Sequence, residues 1–190
     1  MQDSTKKNET ILTVQSQSNK LIDLIYKLRH FSTSIINSQN FSLLATTQKV
    51  QQGRYIDSYH ATIDYKSKQI NYQNTKDVSH RKTKETLTIP IKNLVYDPFC
   101  IIYYLRELNL KVSQNYTFTS YSKKKIKDLT LYIEKIEIIN TPYFKGECFV
   151  VIPQGEKKDG PLLKNQGEMK IWFTKNNDNI PVKIQMRMKS

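Results

Sequence analysis

Apolar and polar side chains take turns along most of this chain, and that alternation confines it largely to strands. Tyr59, Ala61, Ile63 and Tyr65 alternate with His60, Thr62 and Asp64, the period-two signature of a strand with one buried face. Leu129, Leu131 and Ile133 repeat it until the phase jumps to Ile136 and Ile138. A bulge near Glu134-Lys135 is the expected device for keeping that apolar face inward. Met169, Ile171 and Phe173 share one face of a further strand with Trp172 on the other, and Val182, Ile184, Met186 and Met188 point inward from the last one. Residues 147–152 are apolar without alternation, so that strand is expected to be covered on both faces. Successive strands joined by short turns predict an antiparallel sheet, and a sheet of this length curls.

One stretch breaks the alternation. Over residues 97–108, Phe99, Ile101, Ile102, Leu105 and Leu108 surround most of a helical axis, which predicts a helix buried on more than one side. Asp97 can accept a hydrogen bond from the free amides of the first turn, and Pro98 suits the first helical position, where no amide is needed. The predicted fold is therefore mainly β: a curved antiparallel sheet or half-barrel with one central helix, about 97–108, on its concave side. Residues 1–9 read as a disordered N-terminus and 10–190 as a single β-rich domain.

Several segments are read more locally. Residues 10–14 form a short strand, and the apolar spacing of 21–31 suits a short helix. Residues 32–40 read as a strand and turn, and 41–50 as a strand ending at Gly53. The charged run 76–85, with His80-Arg81-Lys82, is an exposed hairpin or edge. Residues 141–146 form a turn, and 155–167 a flexible loop.

Thirty lysines and arginines against seventeen acidic residues give a formal charge of +13, which attracts nucleic acid or an anionic membrane surface. Arginine stands only at positions 29, 54, 81, 106 and 187, whereas bidentate phosphate or base recognition favours arginine. The charge thus reads as a lysine-rich solvated surface and argues against a nucleic-acid partner. The competing reading, a basic nucleic-acid-binding domain, rests on Tyr55, Tyr59, Tyr65 and Tyr72 interleaved with lysines, since such rings can stack on bases. No run approaches the roughly 18 apolar residues of a membrane span, and residues 1–10 lack the apolar core of a signal peptide. Cys100 and Cys148 are too few for a disulfide framework, and buried free thiols are the expectation.

A resemblance carries the reading further. Asp97-Pro98, Ile102-Tyr103-Tyr104-Leu105-Arg106, Leu108 and Leu110, followed by Gly167-Glu168-Met169-Lys170-Ile171-Trp172-Phe173-Thr174 and Ile180-Pro181-Val182-Lys183-Ile184, resemble domain-of-unknown-function family 3108. Tyr26-Lys27-Leu28 and Gly53-Arg54-Tyr55 extend the match to about residue 11 onward. The resemblance implies an exported bacterial protein, periplasmic or envelope-associated, with a curved-sheet shape akin to periplasmic lipoprotein carriers. It would make part of 21–31 a turn and a strand. It also implies a leader, a further N-terminal hairpin and a last strand, which these 190 residues do not show.

No sequence motif names an activity. There are three histidines, and no HExxH, GxSxG or phosphate-binding loop. His60 and Asp64, four residues apart on one strand, stand about 13 Å from each other and cannot hydrogen-bond. The chain is accordingly expected to be non-enzymatic, with no catalytic residue, metal ligand or cofactor. The candidate binding residues are Tyr104, Arg106 and Trp172. The two aromatics would wall a groove between helix and sheet, and Arg106 would supply an anion contact. Its occupant is expected to be an apolar ligand or a partner segment: a lipid, a lipoprotein or an envelope protein.

Overall fold

The computed structural model describes residues 8–18, 28–78, 81–154 and 169–186. Among them the order is β1 (Glu9–Gln17), β2 (Leu28–Asn37), β3 (Leu43–Gln52), β4 (Tyr55–Asp64), β5 (Gln69–Val78), β6 (Arg81–Pro90), α1 (Pro98–Leu105), β7 (Asn115–Ser122), β8 (Lys125–Asn140), β9 (Lys145–Gln154), β10 (Met169–Thr174) and β11 (Pro181–Met186). The fold is mainly β with one helix among these residues, as the alternation predicts. The strands form two open antiparallel sheets, one in the order β1-β2-β3-β4-β5-β6 and one in the order β11-β10-β9-β8-β7. The pairing of β5 with β6 ends at Pro90, which has no amide to donate, and after a single bridge at Tyr96 the next strand follows α1. By compactness the chain divides into Met1–Cys100 with Tyr121–Ile126, and Ile101–Ser120 with Lys127–Ser190.

In the first unit, the pairing register sorts one sheet face into rows. Ile36, Ile63 and Ile70 are buried at one end of it. The next row is Ser34, Thr46, Ala61 and Tyr72, and the one after is Ser32, Gln48, Tyr59 and Asn74. Apolar burial thus gives way to hydroxyl and amide groups along a single face, while His60, Thr62 and Asp64 on the opposite face are exposed. His60 and Asp64 go separate ways: His60 Nδ1 meets Thr47 Oγ1 at 2.9 Å, and Asp64 accepts the amides of Lys66 and Ser67. Gly53, at φ 59°, lets β3 turn into β4 through a two-residue connection. Asp97 caps α1 as expected, Oδ1 accepting the amides of Phe99 and Cys100, both at 2.8 Å, and Ser34 Oγ donates to the other carboxylate oxygen.

In the second unit, Cys148, Phe149, Val150 and Val151 are all buried, so the middle of β9 is covered on both faces. The register of β8 against β9 shifts between Ile133 and Lys135, which places the bulge where the phase jump predicts it. Its effect differs from expectation. Ile136 and Ile138 remain 37% and 72% exposed, and it is Ile139 that turns inward, at 7%. The last strand also departs from its expected facing, because Ile184 is 56% exposed while Val182 packs against a buried cluster. A register shift between Trp172 and Phe173 displaces that edge strand's phase. The expectations for residues 1–7, 19–27, 79–80, 155–168 and 187–190 lie outside the described residues, as does the side chain of Met186.

Candidate binding site

Helix α1 ends at Leu105, three residues short of the predicted Leu108. The amides of Arg106, Glu107 and Leu108 bond to carbonyls three residues back, at 3.2, 3.0 and 3.3 Å, a tightening common at helix ends. The last carbonyls of a helix lack internal partners and must find others. Here Asn179 supplies them. Its Nδ2 donates to the Leu108 carbonyl at 2.8 Å and lies 3.2 and 3.5 Å from those of Arg106 and Leu105. Asn179 has φ 42°, a left-handed backbone that asparagine tolerates better than most residues.

A second asparagine shapes the same turn between β10 and β11. Asn176 Oδ1 accepts the amides of Asp178 and Asn179, both at 3.2 Å, and the Thr174 hydroxyl at 2.6 Å. Thr174 Oγ1 in turn accepts the Ile180 amide at 2.9 Å. Arg106 leans onto this turn, Nε donating to the Asp178 carbonyl at 3.4 Å, with its guanidinium 5.4 Å from the Tyr103 ring centre. A carbonyl and an aromatic face thus hold the guanidinium. The remaining guanidinium nitrogens keep donor capacity for a ligand.

These pieces border an open pocket of about 480 Å3, within the size range of small-molecule sites. Leu108, Leu110 and Phe149 give it apolar surface, and Arg106, Lys175, Asn176, Asn177 and Asn179, with Glu107, make it polar elsewhere. Lys175 is held by Glu147 at 2.9 Å, so Arg106 is the cation with the least carboxylate opposition.

Of the three residues expected to converge, Arg106 alone lines this pocket. Tyr104 packs edge-on against Phe118, ring centres 5.7 Å apart. Trp172 is buried with Ile139, Cys148 and Val150, and the Lys183 ammonium stands 4.4 Å from its ring. The neighbours Lys175, Asn176, Asn177 and Asn179, which complete the pocket, went unread in the sequence. Their signal was the run Asn176-Asn177-Asp178-Asn179, dense in residues that bond their own backbone and accept a left-handed φ.

Neither thiol is poised for nucleophilic work. Cys100 and Cys148 are buried and unbridged. Burial, with Asp97 nearby, pushes the Cys100 thiol up, and burial followed by the charge of Glu137 does the same to Cys148, which keeps both protonated.

Two open antiparallel sheets and one helix among the described residues define a mainly β protein. The chain belongs to the family described as protein of unknown function DUF3108, whose model matches residues 1–190. No curated protein sequence matches it. In structure it is similar to a β-barrel-like protein of domain-of-unknown-function family DUF1849 from Brucella abortus, with 10% identity over 96% of this chain and 91% of that one, at a TM-score of 0.45.

Proposed function

We propose that this protein is a non-enzymatic, exported binding module of the bacterial cell envelope. Its pocket at the end of α1 would hold an amphipathic ligand or partner segment, with an apolar part on Leu108, Leu110 and Phe149 and an anionic group on Arg106. The observation that carries the reading is the combination of apolar lining residues with a guanidinium anchored by the Asp178 carbonyl and the Tyr103 ring. Anchoring an arginine in place lowers the entropy lost when it meets an anion. The periplasmic location is supported by the family resemblance.

A fluorescent fatty acid is a suitable probe, since it carries both chemistries. The wild type should bind it, and Arg106→Ala should weaken binding about tenfold or more while leaving the fold intact, the cost of one charge-assisted contact. Equal affinity in the folded variant would remove the anion role, and no binding in either would remove the site. For the compartment, the natural protein should leave cells with the periplasmic fraction on osmotic shock. Co-fractionation with a cytoplasmic marker would count against export.

A further inference from the structure

A second pocket lies within the first unit, away from the residues used above. It has a volume of about 440 Å3 and is lined by Val50, Gln52, Tyr55, Asp57 and Lys123. Register makes it a built feature of the sheet: Gln52 pairs with Tyr55 and Val50 with Asp57 across β3 and β4. Lys123 arrives from the β7–β8 turn with φ 56°.

Asp57 is the chemical centre. Its side chain is only 4% exposed, and such a carboxylate must be paired and hydrogen-bonded. Asn74 Nδ2 donates to Oδ1 at 2.6 Å and Lys123 Nζ to Oδ2 at 2.7 Å. A carboxylate offers about four lone-pair sites, of which these two donors fill two, and an ammonium has three N–H groups, of which Asp57 takes one. Lys123 is 50% exposed and can turn the others toward a ligand. The Gln52 side chain adds both a donor and an acceptor.

We propose that this pocket binds a neutral, hydroxyl-rich ligand of the saccharide class. A free anion would face the Asp57 carboxylate, and a free cation would face the Lys123 ammonium 2.7 Å from it, so the pair disfavours either ion. A sugar hydroxyl donates and accepts at once, which suits a carboxylate lone pair set beside ammonium and amide hydrogens. The half-buried Tyr55 ring and the Val50 methyls provide surface for the C–H side of a sugar ring. The interior behind the pocket has the same character. Ser32 and Asn74 lie in the row next to Asp57, and the buried Ser32 and Tyr121 hydroxyls have no hydrogen-bond partner among the described residues.

The test is saturation-transfer NMR on the full chain with four disaccharides (sucrose, trehalose, maltose and cellobiose), alongside acetate and methylammonium as ionic probes. At least one disaccharide should bind with a Kd of about 1 mM or tighter, the ionic probes should not compete, and Gln52→Ala and Lys123→Met should each weaken binding about threefold or more. Gln52 is exposed, so its variant keeps the fold even if Asp57→Asn does not. Absence of binding by all four sugars overturns the proposal, as does displacement by either ion or unchanged affinity in both variants. The Arg106 pocket takes no part, so an Arg106→Ala control that still binds the sugar separates this result from the reading above.

Discussion

At the scale of single residues, Asp97 shows how much a short local rule can carry. An acceptor followed by proline announces a helix start from chemistry confined to four positions, and the amides of Phe99 and Cys100 sit on its carboxylate. Trp172 shows the limit of such rules. Alternation places it opposite Ile171 and Phe173, but which residues meet it depends on strands more than twenty positions earlier, and they prove to be Ile139, Cys148 and Val150. Because it is 3% exposed there, Trp172→Ala should cost about 3–5 kcal/mol, measured by urea denaturation. A loss under about 1 kcal/mol would show that the indole is not core. Leu105, at 0% exposure, should lose about 2–5 kcal/mol on truncation to alanine, and the same measurement checks it. Asp57 makes a pH prediction. Burial pushes its carboxyl up, but hydrogen bonds from Lys123 and Asn74 and the Lys123 charge outweigh that and hold it below its ordinary 3.8. A carboxyl depressed by folding stabilises fully above its unfolded value and loses that contribution as pH falls through the folded one. Stability should therefore drop on acidification below about pH 4, with a shallower drop in Asp57→Asn. Parallel curves for the two proteins would show that Asp57 contributes nothing to it.

At the scale of elements, strand existence was legible and strand facing was less so. The bulge between Ile133 and Lys135 could be read because a phase jump has one simple remedy. Its outcome could not, since Ile136, Ile138 and Ile139 are all apolar and nothing local says which of them finds cover. The pocket turn had the same problem: four turn-forming residues announce a turn, yet only the end of α1 makes Asn179 a cap. The charged run 76–85, read as an exposed hairpin or edge, falls on the end of β5 and the first half of β6, the last strand of the six-stranded sheet, where residues 81–84 are exposed. Among the described residues β6 has a strand neighbour on one side only, and Arg81, Lys82 and Lys84 are exposed along it. Charged side chains on an edge oppose pairing with another chain. Replacing Lys82 and Lys84 together with valine should change stability by no more than about 0.5 kcal/mol while producing concentration-dependent assemblies in light scattering. A variant that stays monodisperse over the same range would show that these lysines do not protect the edge.

At the scale of the whole molecule, the division into two sheets left no mark in composition, because alternation shows that a strand has a buried face without showing which strand stops pairing. Charge was legible outright, since it needs no fold: +13 over 190 residues. What such charge does depends on how it is arranged. Lys123, Lys124, Lys135, Lys170 and Lys175 are paired with carboxylates, each pair removing one charge of either sign and leaving the net +13 unchanged, and two of the four tyrosines that could have stacked on bases are withdrawn. Tyr59 and Tyr72 are 3% and 1% exposed, and burial pushes the Tyr72 hydroxyl up to about 12. Attraction to a polyanion without stacking or a bidentate arginine cluster is long-range and screened over about 8 Å at 0.15 M salt. Association with duplex DNA should therefore be seen only at low ionic strength, fall steeply with added salt, and not depend on sequence. Fluorescence anisotropy with two unrelated duplexes checks this: a preference of about tenfold or more for one of them at 0.15 M salt, equal to about 1.4 kcal/mol, would require specific base contacts and make nucleic acid a true partner of this chain.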